Sequence, residues 1–300
     1  MQVAESTRRI QEIRTRPLPK QMTLASTVTF EGKGAHSGKS VSINVHPAEI
    51  DTGYIFQRTD IKSAPIPARY NTVTDTRMQT VISNEDGISV ATVEHLLAAL
   101  SGSGITNAYI EINGPEVPIM DGSSYAFAKA FHEKGCKKQR ASHDVLFVKK
   151  PFVYENGAGK ISVFPSKTPV YMCRFDGYKR MDSLLTHRYA QFRVEHDSFL
   201  DLVSDARTFG FYEDGLYLQS RGLAQGASLE NTVVIKDNAI LNEEGLRSPD
   251  EFVRHKLLDL IGDFSLAGMQ ICGTVIGHNT GHSLNNQFLR AFMRAYDYWD

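Results

Sequence analysis

The stretch 248–282 constrains the chain most, because it combines one helix with a charged edge and a glycine-broken segment ending in histidine. Ser248 and Glu251 have the spacing of a helix capping box, and Pro249 suits the first helical position. The pattern therefore predicts a helix from Pro249 to about Ala267, where a glycine ends it.

One edge of this helix carries an imidazole and two carboxylates. At about 100° per residue, His255, Asp259 and Asp263 lie within roughly 80° of one another, opposite a broad apolar face. His255 and Asp259 are four residues apart, so both side chains can reach one metal ion. Because catalytic zinc needs at least three protein ligands, the pair alone is better explained by an ordinary solvated helix face.

Length and composition indicate a two-domain globular protein. The chain has 300 residues, of which 41% are hydrophobic and 22% charged, and this length fits two domains of about 150 residues. The net charge of −1 provides no global field, so we expect no nucleic-acid partner. Any charged small molecule must be bound by local groups.

Compartment signals favour the cytoplasm. The three cysteines are widely spaced and form no CxxC, which indicates free thiols in a reducing compartment. Residues 1–21 are polar and basic, so we interpret them as an N-terminal extension and not as a signal peptide. No apolar run approaches the roughly 18 residues of a membrane span, so we expect no integral membrane segment. A transient contact with a membrane surface stays open.

The strand and helix pattern predicts an α+β fold in two parts. Residues 22–47 alternate like a β-hairpin around a glycine-rich turn, and strands and helices then mix. The polar segment KKQRASHD at 137–144 suggests a boundary between a first domain, 22–142, and a second, 143–300.

An internal echo suggests that the two domains are related. With an offset of 160 residues, His95 aligns with His255 and Gly102 with Gly262. If the domains pack helix layer to helix layer, both histidines would meet at the interface. Glu94, next to His95, points about 100° away on a helix, so it would serve as a base rather than as a second ligand. A surface glutamate beside a half-buried histidine would give the same pattern.

Several long motifs occur together and in a fixed order: GKGAHSGK, TVEHLLAAL, GPEVPIMDGS, ARTFGF, LQSRGLAQGAS, LNEEGLR, EFVRHKLLDLIGD and TGHSLNN. From Met22 to its end, the chain thereby resembles the zinc-dependent UDP-3-O-acyl-N-acetylglucosamine deacetylases. That family performs the committed step of lipid A synthesis in Gram-negative bacteria. The resemblance implies hydrolysis of an acetyl amide on an acylated UDP-GlcNAc, with Zn²⁺ as cofactor.

The resemblance also implies roles for individual residues. His95, His255 and Asp259 would be the zinc ligands. Glu94 would be the general base and His282 the general acid. These assignments supply the third ligand that the helix 249–267 lacks.

Further positions follow from the same resemblance. Asp263 would orient His282 and favour its charged form, and Thr208 would polarise the substrate carbonyl. Lys256 and Phe209 would contact the substrate near the sugar nucleotide. Three residues before His282 the family often has a lysine, whereas this chain has Asn279. Part of the contact with the sugar or the diphosphate would therefore differ.

The family fold would be two similar β/α layered domains, packed as a β-α-α-β sandwich with the helices inside. A small inserted strand unit in the second domain would form a passage for the acyl chain. Two alternatives remain: a zinc amidohydrolase acting on another N-acyl sugar nucleotide, and an inactive homologue that binds a sugar nucleotide or a lipid.

Overall fold

The fold is described from a computed structural model, for residues 18–296. The first half contains β1 (Lys20–Leu24), β2 (Val28–Lys33), β3 (Ser40–Pro47), β4 (Tyr54–Arg58), β5 (Ile66–Pro67), β6 (Val73–Asp75), β7 (Val81–Ser83), β8 (Ser89–Val90), α1 (Glu94–Gly102), β9 (Ala108–Ile112), α2 (Tyr125–Lys134) and β10 (Cys136–Ser142). The second half contains β11 (Val145–Phe147), β12 (Phe152–Asn156), β13 (Gly159–Phe164), β14 (Val170–Arg174), a 3-10 helix (Lys179–Leu184), β15 (Tyr189–Arg193), α3 (Phe199–Leu202), β16 (Phe209–Phe211), α4 (Tyr212–Ser220), β17 (Val233–Lys236), β18 (Ala239–Ile240), α5 (Glu251–Ser265), β19 (Gln270–Cys272), β20 (Thr274–His278) and α6 (His282–Tyr296).

The predicted hairpin is formed by β2 and β3, which pair antiparallel from Val28 opposite Val45 to Lys33 opposite Ser40. In β3 the alternating residues Val41, Ile43 and Val45 are buried, which gives the strand one core face. β1 lies outside this hairpin, because it pairs with β10 at the other end of the first half.

The two halves share one topology. Their five-stranded sheets have the orders β2-β3-β9-β4-β5 and β12-β13-β20-β14-β15, so in each sheet the strand that comes last in the chain lies in the middle. In both sheets this central strand is parallel to one neighbour, β4 or β14, and antiparallel to the other. The common order explains the sequence echo, since α1 precedes β9 as α5 precedes β20.

The helices lie between the two sheets. α5 packs on β14 and β15 of the second sheet, while α2 packs on β2 of the first, with the rings of Phe30 and Phe127 4.8 Å apart. α1 contacts both α2 and α5. The predicted α+β sandwich with internal helices is therefore confirmed.

α1 and α5 approach closely because Gly262 faces the start of α1. A Cβ atom on Gly262 would lie 2.2 Å from the backbone oxygen of Glu94 and 3.3 Å from the Cβ of Ala98. Such distances require that the helices touch through their backbones at this point. The glycine that the echo aligns with Gly102 thus sets the distance between the two halves.

Smaller sheets complete the fold. β16, β17 and β18 form a three-stranded sheet that packs with α4 within the second half, and we propose that this sheet is the inserted unit. The polar segment at 137–144 is mostly strand β10, and we propose the domain boundary just after it.

Residues 1–17 of the expected extension lie outside the described residues, whereas Lys20 and Gln21 belong to β1. None of the helices within 18–296 combines the length and apolarity needed to cross a bilayer.

Details of the predicted helix 249–267 were wrong. α5 begins at Glu251 with Asp250 as its N-cap, and no side chain caps it. Ser248 does not cap the helix, because its hydroxyl donates to the Asp250 carboxylate. Gly268 has a φ of 73°, which confirms that the helix ends before a left-handed glycine. His282 is the first residue of α6, which follows β20 after a short turn.

Candidate active site

Three side chains with metal-binding atoms converge where α1 packs on α5. Asp259 Oδ1 lies 3.6 Å from His95 Nε2 and 3.5 Å from His255 Nε2. All three residues are buried, and their ligand atoms lie within 4.8 Å of one another. Ligands about 2.0–2.1 Å from a tetrahedral zinc ion are about 3.3 Å from each other, so this spacing suits one ion.

The Asp259 carboxylate supports the same interpretation. Its Oδ2 accepts a hydrogen bond from Lys256 Nζ at 2.7 Å, but its buried Oδ1 has no donor among residues 18–296. A buried carboxylate oxygen without a partner is costly, and a cation would remove that cost. Burial opposes ionisation of Asp259, but His255 when protonated and the Lys256 ammonium hold its pKa well below the ordinary value, and Lys256 keeps its charge near pH 7. The group is thus ready to bind a cation.

Both histidines present Nε2 to Asp259, and for His255 a hydrogen bond fixes the ring in this orientation. The ring of His255 points Nδ1 at the backbone oxygen of Ala206, 3.1 Å away, which places the proton on Nδ1 and leaves Nε2 free as a ligand. Burial lowers the pKa of His255 to about 3, against the opposing charge of Asp259. The neutral imidazole required for metal binding is therefore the form present near pH 7. The backbone oxygen of His95 accepts a hydrogen bond from Ser124 Oγ at 2.8 Å.

Glu94 lies beside the triad in the first turn of α1 and is 3% exposed. Its Oε2 accepts a hydrogen bond from the backbone amide of Thr80 at 3.0 Å, and its Oε1 lies 3.8 Å from His282 Nε2. Burial raises the pKa of Glu94, although the charges of His282 and His95 oppose the rise. A carboxylate with a raised pKa accepts protons more readily than an exposed one.

His282 is oriented by Asp263. His282 Nδ1 is 2.8 Å from Asp263 Oδ2, so its Nε2 faces Glu94. Burial alone would lower the pKa of His282, but the charges of Asp263 and Glu94 raise it to about 10. The histidine is therefore a charged proton donor near pH 7.

Two residues that hold Asp263 were not predicted. Thr80 Oγ1 donates to Asp263 Oδ1 at 2.7 Å, and Asn285 Nδ2 donates to Oδ2 at 2.7 Å. Asn285 lies three residues after His282 in one helix, and this spacing would have indicated it. Thr80 is 183 residues from Asp263, so no local pattern could have indicated it.

A cavity of about 940 Å³ opens over these groups. Thr208 and Phe209 line it at the start of β16, and the ring of Phe209 lies 5.9 Å from that of His255. Lys256 Nζ lies 5.6 Å from the centre of the Phe209 ring. The structure therefore brings every predicted site residue to one cavity or directly behind it.

The far side of the cavity is apolar and comes from the inserted unit. Its lining includes side chains of α4, β16 and β17, among them Phe211, Leu216 and Val234, and also Leu241, which follows β18. The 3-10 helix contributes Arg180, which pairs with Asp214 of α4 in the lining of the cavity. This wall is suited to an apolar chain that extends away from the triad.

Asn279 occupies the position where the family often has a lysine, and its side chain bonds to the protein backbone. Its Oδ1 accepts a hydrogen bond from the backbone amide of Asp176 at 2.8 Å, and its φ is 48°. Asparagine tolerates this left-handed conformation better than lysine does. The side chain therefore fixes the turn between β20 and α6.

A buried ion pair holds the segment between Ala206 and Thr208. Arg207 donates from its backbone amide and from Nε to Glu251 Oε1, at 3.0 and 2.8 Å, and both side chains are buried. Glu251 lies one turn before His255 on α5. The pair was missed because glutamate at that position had been interpreted as part of a capping box.

A buried His-His-Asp cluster with an adjacent carboxylate and an imidazolium, at the base of a cleft, defines the class of hydrolytic metalloenzymes. Residues 21–294 match the family model described as LpxC, UDP-3-O-acyl N-acetylglycosamine deacetylase. A UDP-3-O-acyl-N-acetylglucosamine deacetylase of Geotalea uraniireducens is 44% identical over 280 residues, covering 93% of this chain and 90% of the relative. A Histophilus somni protein of that name is 40% identical over 291 residues, covering 94% and 92%.

The chain belongs to this deacetylase family and is an enzyme of the hydrolase class.

Proposed function

We propose that this protein hydrolyses the N-acetyl amide of UDP-3-O-acyl-N-acetylglucosamine, releasing acetate in the committed step of lipid A biosynthesis. The observation that carries the proposal is the position of Glu94 and His282, on either side of a gap next to the buried triad. Amide hydrolysis requires a base and an acid in this arrangement. The membership of the deacetylase family supports the choice of substrate.

We propose His95, His255 and Asp259 as ligands of Zn²⁺, since two neutral imidazoles and one carboxylate are a typical catalytic zinc set. When bound, zinc lowers the pKa of a water molecule and polarises the acetyl carbonyl. Lys256 keeps Asp259 oriented through the 2.7 Å hydrogen bond to Oδ2, which leaves Oδ1 for the ion.

Proton transfer is assigned to the two facing groups. Glu94 accepts the proton of the attacking water, helped by a pKa that burial raises. His282 holds a proton on Nε2 and gives it to the departing amine nitrogen, while Asp263 stabilises its charge. The Thr208 hydroxyl donates a hydrogen bond to the oxygen that gains negative charge.

The substrate is placed by the walls of the cavity. Lys256 and Phe209 contact the sugar nucleotide, and the acyl chain extends along the apolar side of the inserted unit. We place the enzyme in the cytoplasm. Transient contact with a membrane surface remains compatible with an acylated substrate.

The test compares acetate release from UDP-3-O-acyl-N-acetylglucosamine and from UDP-N-acetylglucosamine by the zinc-loaded protein. Each buried CH₂ contributes about 0.8 kcal/mol, so the acylated substrate should have a kcat/KM higher by a factor on the order of 100 or more. Equal values would favour a different N-acyl sugar nucleotide. No turnover of either compound with full zinc loading would favour an inactive binding protein.

A further inference from the structure

A second cavity, of about 250 Å³, lies where the two halves meet at the C-terminal ends of α1 and α5. The first half contributes Arg69 and Tyr54, and the second contributes Tyr171 and Phe264. Metal ligands and catalytic groups are absent from its lining, so it is separate from the cavity over the triad.

The Arg69 guanidinium in this cavity has no anionic partner. It lies against the backbone of Gly268, where a Cβ atom would be 1.2 Å from its Nη1, and no hydrogen bond or ion pair uses it within residues 18–296. No carboxylate lines the cavity there. The C-terminal carbonyls of α1 and α5 offset part of the cost of burying this charge, but the guanidinium donors have no carboxylate to pair with in the cavity.

A second donor is available in the same space. Tyr171 is 8% exposed and packs edge-on against Phe264, with the ring centres 5.9 Å apart. Its hydroxyl has no hydrogen-bond partner in the described part of the chain, whereas that of Tyr54 donates to the Ile105 carbonyl. The Tyr171 hydroxyl is not fully enclosed and lines the cavity, so it can donate a hydrogen bond to a molecule bound there.

The surroundings limit the charge of that ligand. Both helices end here, and their C-terminal carbonyls disfavour an ion with several negative charges. His143 adds little positive charge, because burial lowers its pKa and Arg69 lowers it further, against Asp144. Phe264, Met269 and Ile105 supply apolar contacts. At about 30 Å³ per water, the volume equals about eight waters, which suits a compact molecule.

We propose that this inter-half cavity binds a small monocarboxylate with an apolar body, whose carboxylate pairs with Arg69 and accepts a hydrogen bond from Tyr171. The bound molecule would contact both halves beside the C-terminal ends of α1 and α5. This proposal does not rest on the proposed deacetylation.

The experiment titrates the zinc-loaded protein with benzoate by calorimetry. We expect one binding site per chain. Benzamide, with the same body and no charge, should bind at least about tenfold more weakly, because a charge-assisted hydrogen bond is lost. Inorganic phosphate should bind more weakly than benzoate.

Variants test the location. Arg69→Met should weaken benzoate binding by about tenfold or more, and Tyr171→Phe, which keeps the ring packing, by a smaller factor. Arg77→Met removes an arginine that is 89% exposed and remote from the cavity lining, so it should bind benzoate like the unmodified protein.

Three results would overturn the proposal. One is the absence of saturable benzoate binding in the millimolar range. Another is an affinity for benzoate that is the same in the Arg69→Met and Tyr171→Phe variants as in the unmodified protein. The third is competitive inhibition of acetate release by benzoate, since carboxylates also bind zinc and this would place the molecule at the triad.

Discussion

His282 Nδ1 lies 2.8 Å from Asp263 Oδ2, and the opposite nitrogen of the same ring lies 3.8 Å from Glu94 Oε1. The ring thus stands between two carboxylates, one bonded to it and the other across a gap. Both charges raise the pKa of His282, but only the bonded one fixes which nitrogen faces the gap. Asp263 therefore positions the His282 ring, and the space between His282 and Glu94 is available to the substrate.

The proton-transfer roles predict that Glu94→Ala and His282→Ala each lower kcat by roughly 10² or more while zinc is retained. Neither side chain belongs to the buried triad, so metal content should stay near one ion per chain. Steady-state rates and metal analysis of the same preparations measure both quantities. Loss of zinc from either variant would contradict the assigned roles.

The ligand set predicts that His95→Ala, His255→Ala and Asp259→Ala each weaken zinc retention, typically with loss of activity. His46→Ala is the control, because His46 binds Glu111 on the first sheet, away from the cavity. Metal content after dialysis against a weak chelator distinguishes the variants. Full occupancy in all three would exclude this metal site.

The Asp263 charge predicts a shift in the pH profile. His282 must be protonated to act as an acid, so activity falls as pH rises through its pKa, which is raised to about 10. Asp263→Asn removes an anion that raises this pKa, so the alkaline limb of kcat/KM should move to lower pH. Asp176→Asn is the matched control, since it changes another histidine–aspartate pair, with His278, outside the cavity lining. An unchanged limb in Asp263→Asn would refute the role.

The contact at Gly262 predicts a loss of stability. Gly262→Ala places a Cβ atom 2.2 Å from the Glu94 carbonyl, so the helices must separate, at about 1–3 kcal/mol. Zinc retention should fall too, because His95 would move away from His255. Gly215→Ala, with nothing within 4 Å in α4, should instead stabilise the protein by about 0.5–1 kcal/mol. Denaturant unfolding measures both, and equal stability of the two variants would contradict the packing argument.

The Arg207–Glu251 pair predicts that Glu251→Ala lowers the free energy of unfolding by about 3–5 kcal/mol, because the buried guanidinium loses its buried partner and keeps only the exposed Glu244. Zinc affinity should also decrease, since the Ala206 carbonyl next to Arg207 holds His255. Glu244→Ala removes the exposed second partner of Arg207, so it should change stability little. Similar losses in both variants would show that burial of the pair is unimportant.

The sequence predicted those parts of the site that lie on one periodic element. His255, Asp259 and Asp263 share an edge because helical geometry is regular, and the position of that edge was correctly inferred. Thr80 could not be inferred, because it reaches Asp263 only through the packing of the two halves. Glu251 was misinterpreted for a related reason: its local spacing fits a cap, whereas its partner Arg207 is distant in sequence.

For the fold, too, the sequence predicted the local elements but not the contacts between distant ones. Alternation identified the β2–β3 hairpin, and the repeated helix-to-strand order indicated two related halves. The pairing of β1 with β10 was not predictable, since long-range strand partners leave no periodic signal.

The two halves share the buried triad, and this links metal supply to the packing of the halves on each other. His95 belongs to one half and His255 and Asp259 to the other, so an ion bound by all three requires them to stay together. By mass action, an ion at one hundred times its dissociation constant adds about 2.7 kcal/mol to the docked state. Loss of the metal would therefore weaken the packing between the two halves as well as stop turnover.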